Sequence, residues 1–570
     1  MSPLILRIAA VLAGLVPLVF SVLPGPVRAQ ASATPSITWN TYLGGTAASG
    51  GPSNTDDYAE GVITNRAGDT FVTGRTNAPG FPGGLSTPPL VTGGEDAFVT
   101  KLYADGGVAW TRVFGGTGND TGMRLALVPY RENRLYVVGT TSASSSNPAI
   151  GNVGKISGSS QGGTDAFLAR LELDGTVSWF QYLGGPGDDE GRDVYVYEKD
   201  GYEVVYVVGK RGGDVFVTQV DDLAADPPRT VWDITFGSPG NDVGYAVATN
   251  EYHRVFVGGL VSQNIPSTSL PKVLGEFGGG GSDGFVAQLN PDGGMNWFQF
   301  LGGNGDDDVR DVLNQPESGG MTVIGNSLST DFPAGFTRKG REIFMVRVVG
   351  DNGDLQPKKV LIGEGGEFME GHASADTRGN IYVGGTTTST NLAVNAFDPS
   401  FDPSGGGVKN DGFVAMVDPD LTGFVWASYV GGNAAGSESV MGLSGSPLGQ
   451  LVAVGRSNAD AGLLVSDAGH DPSYNGGQDL FVFRLAVNPD AGPATRPDGG
   501  TPDASTPDAS TPDASTPDAS TPGTTDAGTD PEELLSPLGW GCGSSGGGTL
   551  AGAVALMALA LLTRTRRSSR

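Results

Sequence analysis

The chain has 570 residues, of which 93 are glycine, and its formal net charge is −28. This length requires several domains or one large repeat array, and so much glycine is typical of an all-β protein with many tight turns. The negative charge excludes nucleic acid as a partner, because phosphate binding requires lysine and arginine. The single cysteine, Cys542, excludes an internal disulfide framework, and the three scattered histidines, His253, His372 and His470, exclude a histidine-rich metal site.

Residues 1–29 are predicted to be a secretory signal. Arg7 supplies a basic start, an apolar run extends over residues 8–23, and Val27-Arg28-Ala29 offers small residues at the cleavage positions. An N-terminal membrane anchor is the alternative that the same apolar run allows. The start of the chain therefore predicts export across the inner membrane.

Residues 37–487 contain seven copies of one unit. Each copy starts with a Trp segment ending in Gly-Gly or Gly-Ser, passes through a turn rich in Gly and Asp, and continues with an apolar run that ends in Gly. It closes with a segment such as DAFLARL at 165–171, and in the sixth copy Lys358 replaces the Trp. Short segments rich in Val, Phe, Tyr and Thr, bounded by Gly, Asp or Asn, are typical of strands. Four strands per unit predict an all-β fold, a seven-bladed β-propeller.

The innermost strand of each blade is expected to carry a small residue, because backbones crowd together near the axis of a propeller. The Trp residues are expected on the outermost strands, where a large ring covers the face of the neighbouring blade. Glycine fits the inner position in six copies and valine takes it in the fifth: Gly61, Gly122, Gly191, Gly244, Val309, Gly371 and Gly442.

The register of the repeat predicts how the ring closes. If the inner strand follows the Gly-Asp turn, the last copy has three strands of its own, near residues 438–445, 451–456 and 479–486. Its outer strand must then come from residues 37–45, so that an N-terminal strand closes the propeller and leaves no open sheet edge. The same register places the Gly-Asp turns and the long inserts on one face, where binding loops are usually built.

Residues 489–539 are predicted to be a disordered stalk. They are rich in Pro, Asp, Ser and Thr, contain four copies of TPDAS, and lack the apolar residues that a core requires. Residues 540–570 follow as a tail, with a Gly-rich segment around Cys542, an apolar run predicted to form a hydrophobic helix at 549–562, and an Arg-rich end. The run is short for a membrane span but workable, and its basic end is expected to stay cytoplasmic.

The repeated unit resembles the bacterial SBBP-type β-propeller repeat. The resemblance rests on LGGPGDDEGRDVYV at 183–196, YVVG at 206–209 and DAFLARL at 165–171, and it covers residues 37–487. It implies a propeller of the kind found in extracytoplasmic proteins. It carries over no catalytic and no cofactor-binding residue.

The tail resembles the MYXO-CTERM sorting signal of myxobacteria, in which Gly-Cys-Gly precedes a hydrophobic helix and an Arg-rich end. Gly541, Cys542 and Gly543 match that motif. The resemblance implies that a sorting protease cuts the tail and that Cys542 becomes the attachment point at the cell surface, on the outer membrane. A transmembrane helix with an incidental thiol is the alternative.

Carboxylates recur on the loop-bearing face, and two interpretations are open. Carboxylate oxygens are ligands that Ca²⁺ prefers, so the turn aspartates are candidate cation ligands. Alternatively, they cap the turns by accepting hydrogen bonds from the local backbone. The second role is favoured because an acidic residue stands at this place in nearly every copy. The candidate metal ligands are Asp120, Asp189, Asp242 and Asp307.

No motif indicates catalysis, since the chain has no His-x-x-x-His pair and no P-loop. The function predicted is that of a monomeric, non-catalytic binding or adhesion module that recognises an extracellular protein or polysaccharide through its loop face. The alternatives are an extracytoplasmic lyase or glycosidase with its site at the channel mouth, and a structural cell-surface protein. An enzyme should break the repeat with unique polar residues near the axis. The least regular copies are the fifth and sixth, through Val309, Glu342, Lys358 and His372.

Overall fold

The computed structural model describes most of the region between residues 34 and 487 and consists of β-strands joined by turns. Within these limits the described residues exclude 46–54, 79–80, 84–93, 117, 130, 143–154, 224–227, 266–269, 316–319, 333–339, 350–351, 363–365, 377, 402–409, 432–436, 447–448 and 459–476.

The strands follow the repeat of the sequence and are rich in β-branched and aromatic residues. In chain order they are β1 (Ser36–Leu43), β2 (Thr55–Thr64), β3 (Thr70–Thr76), β4 (Asp96–Leu102), β5 (Val108–Phe114), β6 (Asp120–Leu127), β7 (Arg134–Thr141), β8 (Ile156–Ser157), β9 (Asp165–Glu172), β10 (Val177–Tyr182), β11 (Asp189–Lys199), β12 (Tyr202–Arg211), β13 (Asp214–Asp222), β14 (Arg229–Phe236), β15 (Val243–Thr249), β16 (Val255–Val261), β17 (Val273–Leu274), β18 (Asp283–Leu289), β19 (Met295–Leu301), β20 (Asp307–Gln315), β21 (Gly320–Ser327), β22 (Glu342–Val349), β23 (Asp354–Ile362), β24 (Ser374–Ala375), β25 (Ile381–Thr387), β26 (Asp411–Val417), β27 (Phe424–Val430), β28 (Glu438–Ser446), β29 (Gln450–Ser457) and β30 (Gly477–Ala486).

The strands form a β-propeller with several blades, each built on four antiparallel strands. Five sheets have the orders β6-β7-β9-β10, β11-β12-β13-β14, β15-β16-β18-β19, β20-β21-β22-β23 and β24-β25-β26-β27, and the short strands β8 and β17 pair in parallel with the outer edges of two of them. The largest sheet joins two further blades, β2-β3-β4-β5 and β28-β29-β30-β1. The link between those two is a short parallel pairing of Thr55 and Asp56 with Gly477 and Gln478.

The predicted closure of the ring by an N-terminal strand is confirmed. β1 pairs antiparallel with β30 from Ser36, opposite Ala486, to Leu43, opposite Leu480. The inner strand of the first blade, β2, also packs against β28, the inner strand of the last blade. The outer strand of the last blade therefore comes from the opposite end of the chain, and a buried core containing Trp39 and Leu43 spans the seam.

The Trp rings lie on outermost strands and reach the next blade, as predicted. Trp39, Trp110 and Trp232 each donate a hydrogen bond from the indole nitrogen to a backbone carbonyl in the third hairpin of the following blade, at 2.9–3.0 Å. The acceptors are Ala104, Leu173 and Pro291. Each ring thus couples burial of a large apolar surface to one specific contact between blades.

The alignment of the inner-strand glycines was wrong, because it treated two positions as one. Six inner strands carry a one-residue β-bulge near their start. Gly122 precedes the bulge and pairs with Gly139 of the second strand, whereas Gly61 follows the bulge and pairs with Thr73. A bulge shifts the register by one residue, so counting along the sequence could not reveal it. Val309 is no exception, since it pairs with Gly325 at the position of Gly122.

Candidate functional site

The propeller has two unlike faces, set by the direction of the inner strands. The inner strands begin at the face that we call face one, and there the pairing aligns Asp57 with Thr76 and Thr76 with Asp96. The insert between β3 and β4 therefore leaves from and returns to face one. Face two carries the tight turns that join the first and second strands, such as the turn at 65–69.

The four aspartates predicted as cation ligands stand at the start of four different inner strands on face one. Each accepts a hydrogen bond from a backbone N–H of the turn before it; the donors are Gly116, Gly185, Ser238 and Gly303. Among the described residues no three His, Cys, Asp or Glu side chains come together as a metal site. The structure thus does not bring Asp120, Asp189, Asp242 and Asp307 into one cluster, and Ca²⁺ binding stays a prediction.

Carboxyl groups do approach one another in pairs beside the glycine turns. The side chains of Asp57 and Asp479 flank Gly44, where an added Cβ would lie 3.2 Å and 2.9 Å from their oxygens. Burial raises the pKa of Asp57 to about 7, and the nearby Asp479 acts in the same direction. Burial likewise raises the pKa of Asp283 to about 7, with Asp307 as a neighbour of like charge. A carboxyl with a raised pKa opposes folding once it ionises.

We expect the propeller to lose stability as the pH rises from 4 to 7. Unfolded, Asp57 and Asp283 lose their protons near the ordinary pKa of 3.8, whereas in the folded chain they keep them up to about pH 7. Since the folded state binds more protons in that range, the free energy of unfolding falls as the pH rises. Urea denaturation of the D57N/D283N variant should show a flatter pH dependence than the wild type.

The control for this measurement is the exposed Asp174. A hydrogen bond from the backbone of Thr176 lowers the pKa of Asp174, so the folded state does not hold this proton beyond its ordinary range. Asp174→Asn should therefore leave the slope between pH 4 and 7 unchanged. An equal slope in wild type and D57N/D283N would contradict the assignment of raised pKa values to the paired carboxyls.

The bulges create a ring of unlike side chains at the face-one end of the central channel. In each bulge, one residue of the inner strand has no partner in the register with the second strand, and we call it the bulge residue. In the irregular sixth blade, Glu370, just before Gly371, takes the corresponding place. A cavity of about 40 Å³ is lined by six of these side chains together with His372. We call this set the mouth ring: Glu60, Met123, Arg192, Tyr245, Arg310, Glu370 and Met441.

Ion pairs hold most charges of the mouth ring in place. Arg192 pairs with Glu190, Arg310 pairs with Asp308 at 2.9 Å, and Glu370 accepts a hydrogen bond from Arg456 at 2.8 Å. The guanidinium groups of Arg192 and Arg310 lie 5.8 Å and 4.4 Å from the centre of the Tyr245 ring. The basic side of the ring thus comes from the third to fifth blades, with the tyrosine between the two arginines.

Glu60 differs from its neighbours, because it makes no hydrogen bond or ion pair with any described residue. Burial raises its pKa, and Arg75, Arg456 and Arg192 act against that shift. An unpaired, partly buried carboxyl at the mouth is free to accept hydrogen bonds from a ligand.

A layer of charged side chains lies below the mouth ring and divides the channel; we call it the septum. Arg124 lies 3.4 Å from Asp193, and Nδ1 of His372 lies 3.5 Å from Asp311. Each aspartate also ties two blades together, since Asp193 accepts a hydrogen bond from the backbone of Val247, and Asp311 accepts one from Ala373. These bonds fix the septum to the inner strands.

The two septum aspartates differ in acidity. Burial raises the pKa of Asp193, against the positive influence of His372 and Arg124. Burial also acts to raise the pKa of Asp311, but the contact with His372 outweighs it and the pKa is lowered. Asp311 is therefore the more acidic of the two septum aspartates.

Below the septum the channel widens into a cavity of about 330 Å³ that opens toward face two; we call it the bore. Inner strands from all blades contribute to its wall, which is mainly apolar, and Arg124, Asp193 and Asp311 form its polar floor. The channel thus contains two cavities, one on each side of the septum.

Sequence reasoning found only part of this site. Of the irregular residues in the fifth and sixth blades, His372 lies at the mouth, whereas Val309 and Glu342 are buried in the sheet framework and the side chain of Lys358 lies outside the described residues. Glu60, Arg192, Tyr245 and Arg310 were missed. Their signal is the third residue after the aligned acid of each copy, which varies in charge from copy to copy. The aligned acids are Asp57, Asp120, Asp189, Asp242, Asp307, Glu367 and Glu438.

The predicted signal, the stalk and the tail with Gly541, Cys542 and Gly543 lie outside the described residues. In the part of the chain that the structure describes, no helix has the length and apolar character of a membrane span.

Fold and channel together define a β-propeller. No protein-family model and no curated protein matches the chain. Solved structures similar to it include a protein of unknown function from Dyadobacter fermentans, at 10% identity and TM-score 0.37, covering 79% of this chain and 99% of that one. Sqt1 from Chaetomium thermophilum has 10% identity and TM-score 0.32, covering 75% and 97%. A subtype N10 neuraminidase-like protein of A/little yellow-shouldered bat/Guatemala/060/2010 has 12% identity and TM-score 0.30, covering 57% and 86%. At these scores the similarities carry no conclusion about function.

Proposed function

We propose that the protein is a seven-bladed propeller of the SBBP-repeat type that serves as a non-catalytic binding or adhesion module. It recognises an extracellular protein or polysaccharide through face one. The seven copies in the sequence support the blade count, and the strand sets between Ser36 and Ala486 agree with it.

The mouth ring is the observation that carries this proposal. Framework positions repeat from blade to blade, for example the acids that cap the turns before the inner strands. The mouth ring, by contrast, holds two acids, two arginines, a tyrosine and two methionines at equivalent places. Repetition of a residue suits a structural role, whereas a patch that varies within a rigid frame suits recognition of one asymmetric ligand.

The pairing of the charges favours binding over catalysis. Arg192, Arg310 and Glu370 are each held by another side chain, so they present fixed donors and acceptors. A ligand that carries both acceptor and donor groups satisfies the arginines on one side and Glu60 on the other. Such fixed complementarity gives specificity at little loss of side-chain entropy.

An extracytoplasmic lyase or glycosidase is the second candidate. Glu60 and Glu370 line the same small cavity, and burial raises the pKa of Glu60. Glycosidases use two carboxyl groups that flank the scissile bond, one of them with a raised pKa. This arrangement is the only feature of the described residues that favours turnover.

Surface display completes the proposal. Residues 1–29 direct export, residues 489–539 hold the propeller away from the membrane, and the tail at 540–570 is processed by a sorting protease at Cys542. A stalk of this length could extend on the order of 100 Å if fully stretched. The face with the inserts is then free to meet a partner outside the cell.

Binding of a glycan or extracellular protein is expected to depend on the two arginines of the mouth ring. We expect R192Q/R310Q to weaken binding more than tenfold, because each replacement removes charge-assisted hydrogen bonds. The measurement is a glycan-array and surface-protein screen of residues 31–488, followed by calorimetric titration of each hit.

The matched control is Arg131→Gln, an exposed arginine of face two that pairs with Glu198. It should leave affinity unchanged. Undiminished binding by R192Q/R310Q would place the ligand elsewhere. Cleavage of a bound glycan by the wild type, and its loss in E60Q, would favour the enzyme instead.

A further inference from the structure

The bore on the opposite side of the septum has the properties of a small-molecule site. Its volume of about 330 Å³ falls in the range of known ligand pockets, which are mainly apolar with a few fixed polar groups. The wall includes Val62, Leu125, Val194, Val247 and Leu443, each at most 5% exposed. An apolar ligand would gain by leaving water for this wall.

The shape of the bore suits an extended chain. The stretch of inner strand that lines it runs from Arg124 to Val128, which corresponds to roughly 13 Å along the axis. The opening on face two is edged by Arg66 and Glu132, which are 3.6 Å apart and tied by a backbone hydrogen bond. The ligand would therefore enter from face two with its polar end toward the septum.

The floor determines the chemistry of that polar end. Asp193 and Asp311 already accept backbone hydrogen bonds, from Val194 and Val247 and from Val312 and Ala373. Arg124 approaches Asp193, but its side chain makes no hydrogen bond with a described residue, so it retains donors. The floor thus offers donors to an incoming group and holds two carboxylates that repel an anion.

These features select one class of ligand. A cationic head would meet Arg124 and an anionic head would meet two carboxylates, and both are disfavoured in a partly buried site. A neutral carbonyl accepts from Arg124 without either penalty. We propose that the bore binds a neutral acyl compound, an amide or ester with a medium-length alkyl chain, with its carbonyl at Arg124 and its chain along the apolar wall.

Calorimetric titration of the full-length protein with hexanamide, octanamide and decanamide tests the apolar wall. Each added methylene should strengthen binding about fourfold, until the chain reaches the opening on face two. Binding that does not depend on chain length, or no saturable heat with octanamide, would overturn the proposal.

Head-group specificity tests the floor, with octanamide, octanoate and octylamine as probes. Octanamide should bind at least tenfold more tightly than the other two, because only it pairs with Arg124 without an uncompensated charge. Equal binding of all three would contradict the role of the septum. In Arg124→Met the advantage of octanamide should shrink while the chain-length dependence remains.

Filling the bore gives a further test. Ala375 lines it, and Ala375→Trp should abolish octanamide binding while the circular dichroism spectrum stays that of the wild type. Arg131→Gln, which lies on face two outside the bore, should bind as the wild type does. If A375W fails to fold, the head-group comparison in Arg124→Met decides, and undiminished binding by a folded A375W refutes the site.

Discussion

Deletion of residues 31–46 is expected to lower the free energy of unfolding by more than about 5 kcal/mol. The deletion removes β1, the outer strand of the last blade, and leaves the edge of β30 unpaired. It also removes Trp39 and Leu43, which are 4% and 1% exposed and pack in the core that spans the seam. Loss of one large aromatic and one leucine from a core accounts for most of this effect, and the lost strand pairing adds to it.

The measurement is urea denaturation with a thermal melt. The matched control is a deletion of equal length in the predicted stalk, residues 501–516, which should leave both transitions unchanged. An unchanged melt after removal of 31–46 would show that the ring does not depend on its N-terminal strand.

Arg484→Ala is expected to destabilise the protein by about 3 kcal/mol. Arg484 is 1% exposed and lies at the seam between the last and the first blade. It donates hydrogen bonds to the carbonyl oxygens of Ala104 (2.7 Å) and Gly68, and its guanidinium lies 5.2 Å from the Trp39 ring centre. Burial lowers its pKa to about 10, so it is charged at neutral pH. Truncation leaves two buried carbonyls without this donor and opens a cavity.

Arg347→Ala is the matched control, because Arg347 holds the same place in β22 as Arg484 in β30. It donates to the carbonyl of Pro419 at 2.6 Å, at an interface where the chain is continuous. We expect a smaller loss of stability in urea denaturation for this variant. Equal losses would mean that Arg484 is an ordinary contact between blades rather than a part of the closure.

Arg484→Met separates the two contributions of the side chain. Methionine fills much of the same space but offers no donor, so the difference between the Met and Ala variants measures packing. If R484M is as stable as the wild type, the hydrogen bonds of Arg484 make no net contribution to the free energy of unfolding. Such neutral replacements of buried polar groups by apolar ones are known in other proteins.

The site was less predictable than the fold, for a reason visible at Glu60 and Arg192. Both occupy the bulge of an inner strand, but Glu60 precedes a glycine while Arg192 follows one. An alignment of the copies on their glycines therefore places Glu60 and Arg192 at different positions. Their equivalence is visible only in the pairing of the inner strand with the second strand, which forms when the chain folds.

The septum shows the same limit. Arg124, Asp193 and Asp311 come from three different blades, and each directly follows the bulge residue of its inner strand. Their proximity depends on the closure of the blades around one axis, which no single copy of the repeat shows. By contrast, the role of Asp120 as a cap of its own turn is local, and the sequence analysis favoured it for that reason.

The sequence by itself determined the strand content, the four-strand unit and the origin of the closing strand, because alternation, turn residues and the Trp segments are local signals repeated along the chain. Only the tertiary structure decided which side chains meet in the channel and that a charged septum divides it. The physical reason is that local patterns set the direction of a strand, whereas the register between strands and the packing around an axis are properties of many distant residues at once.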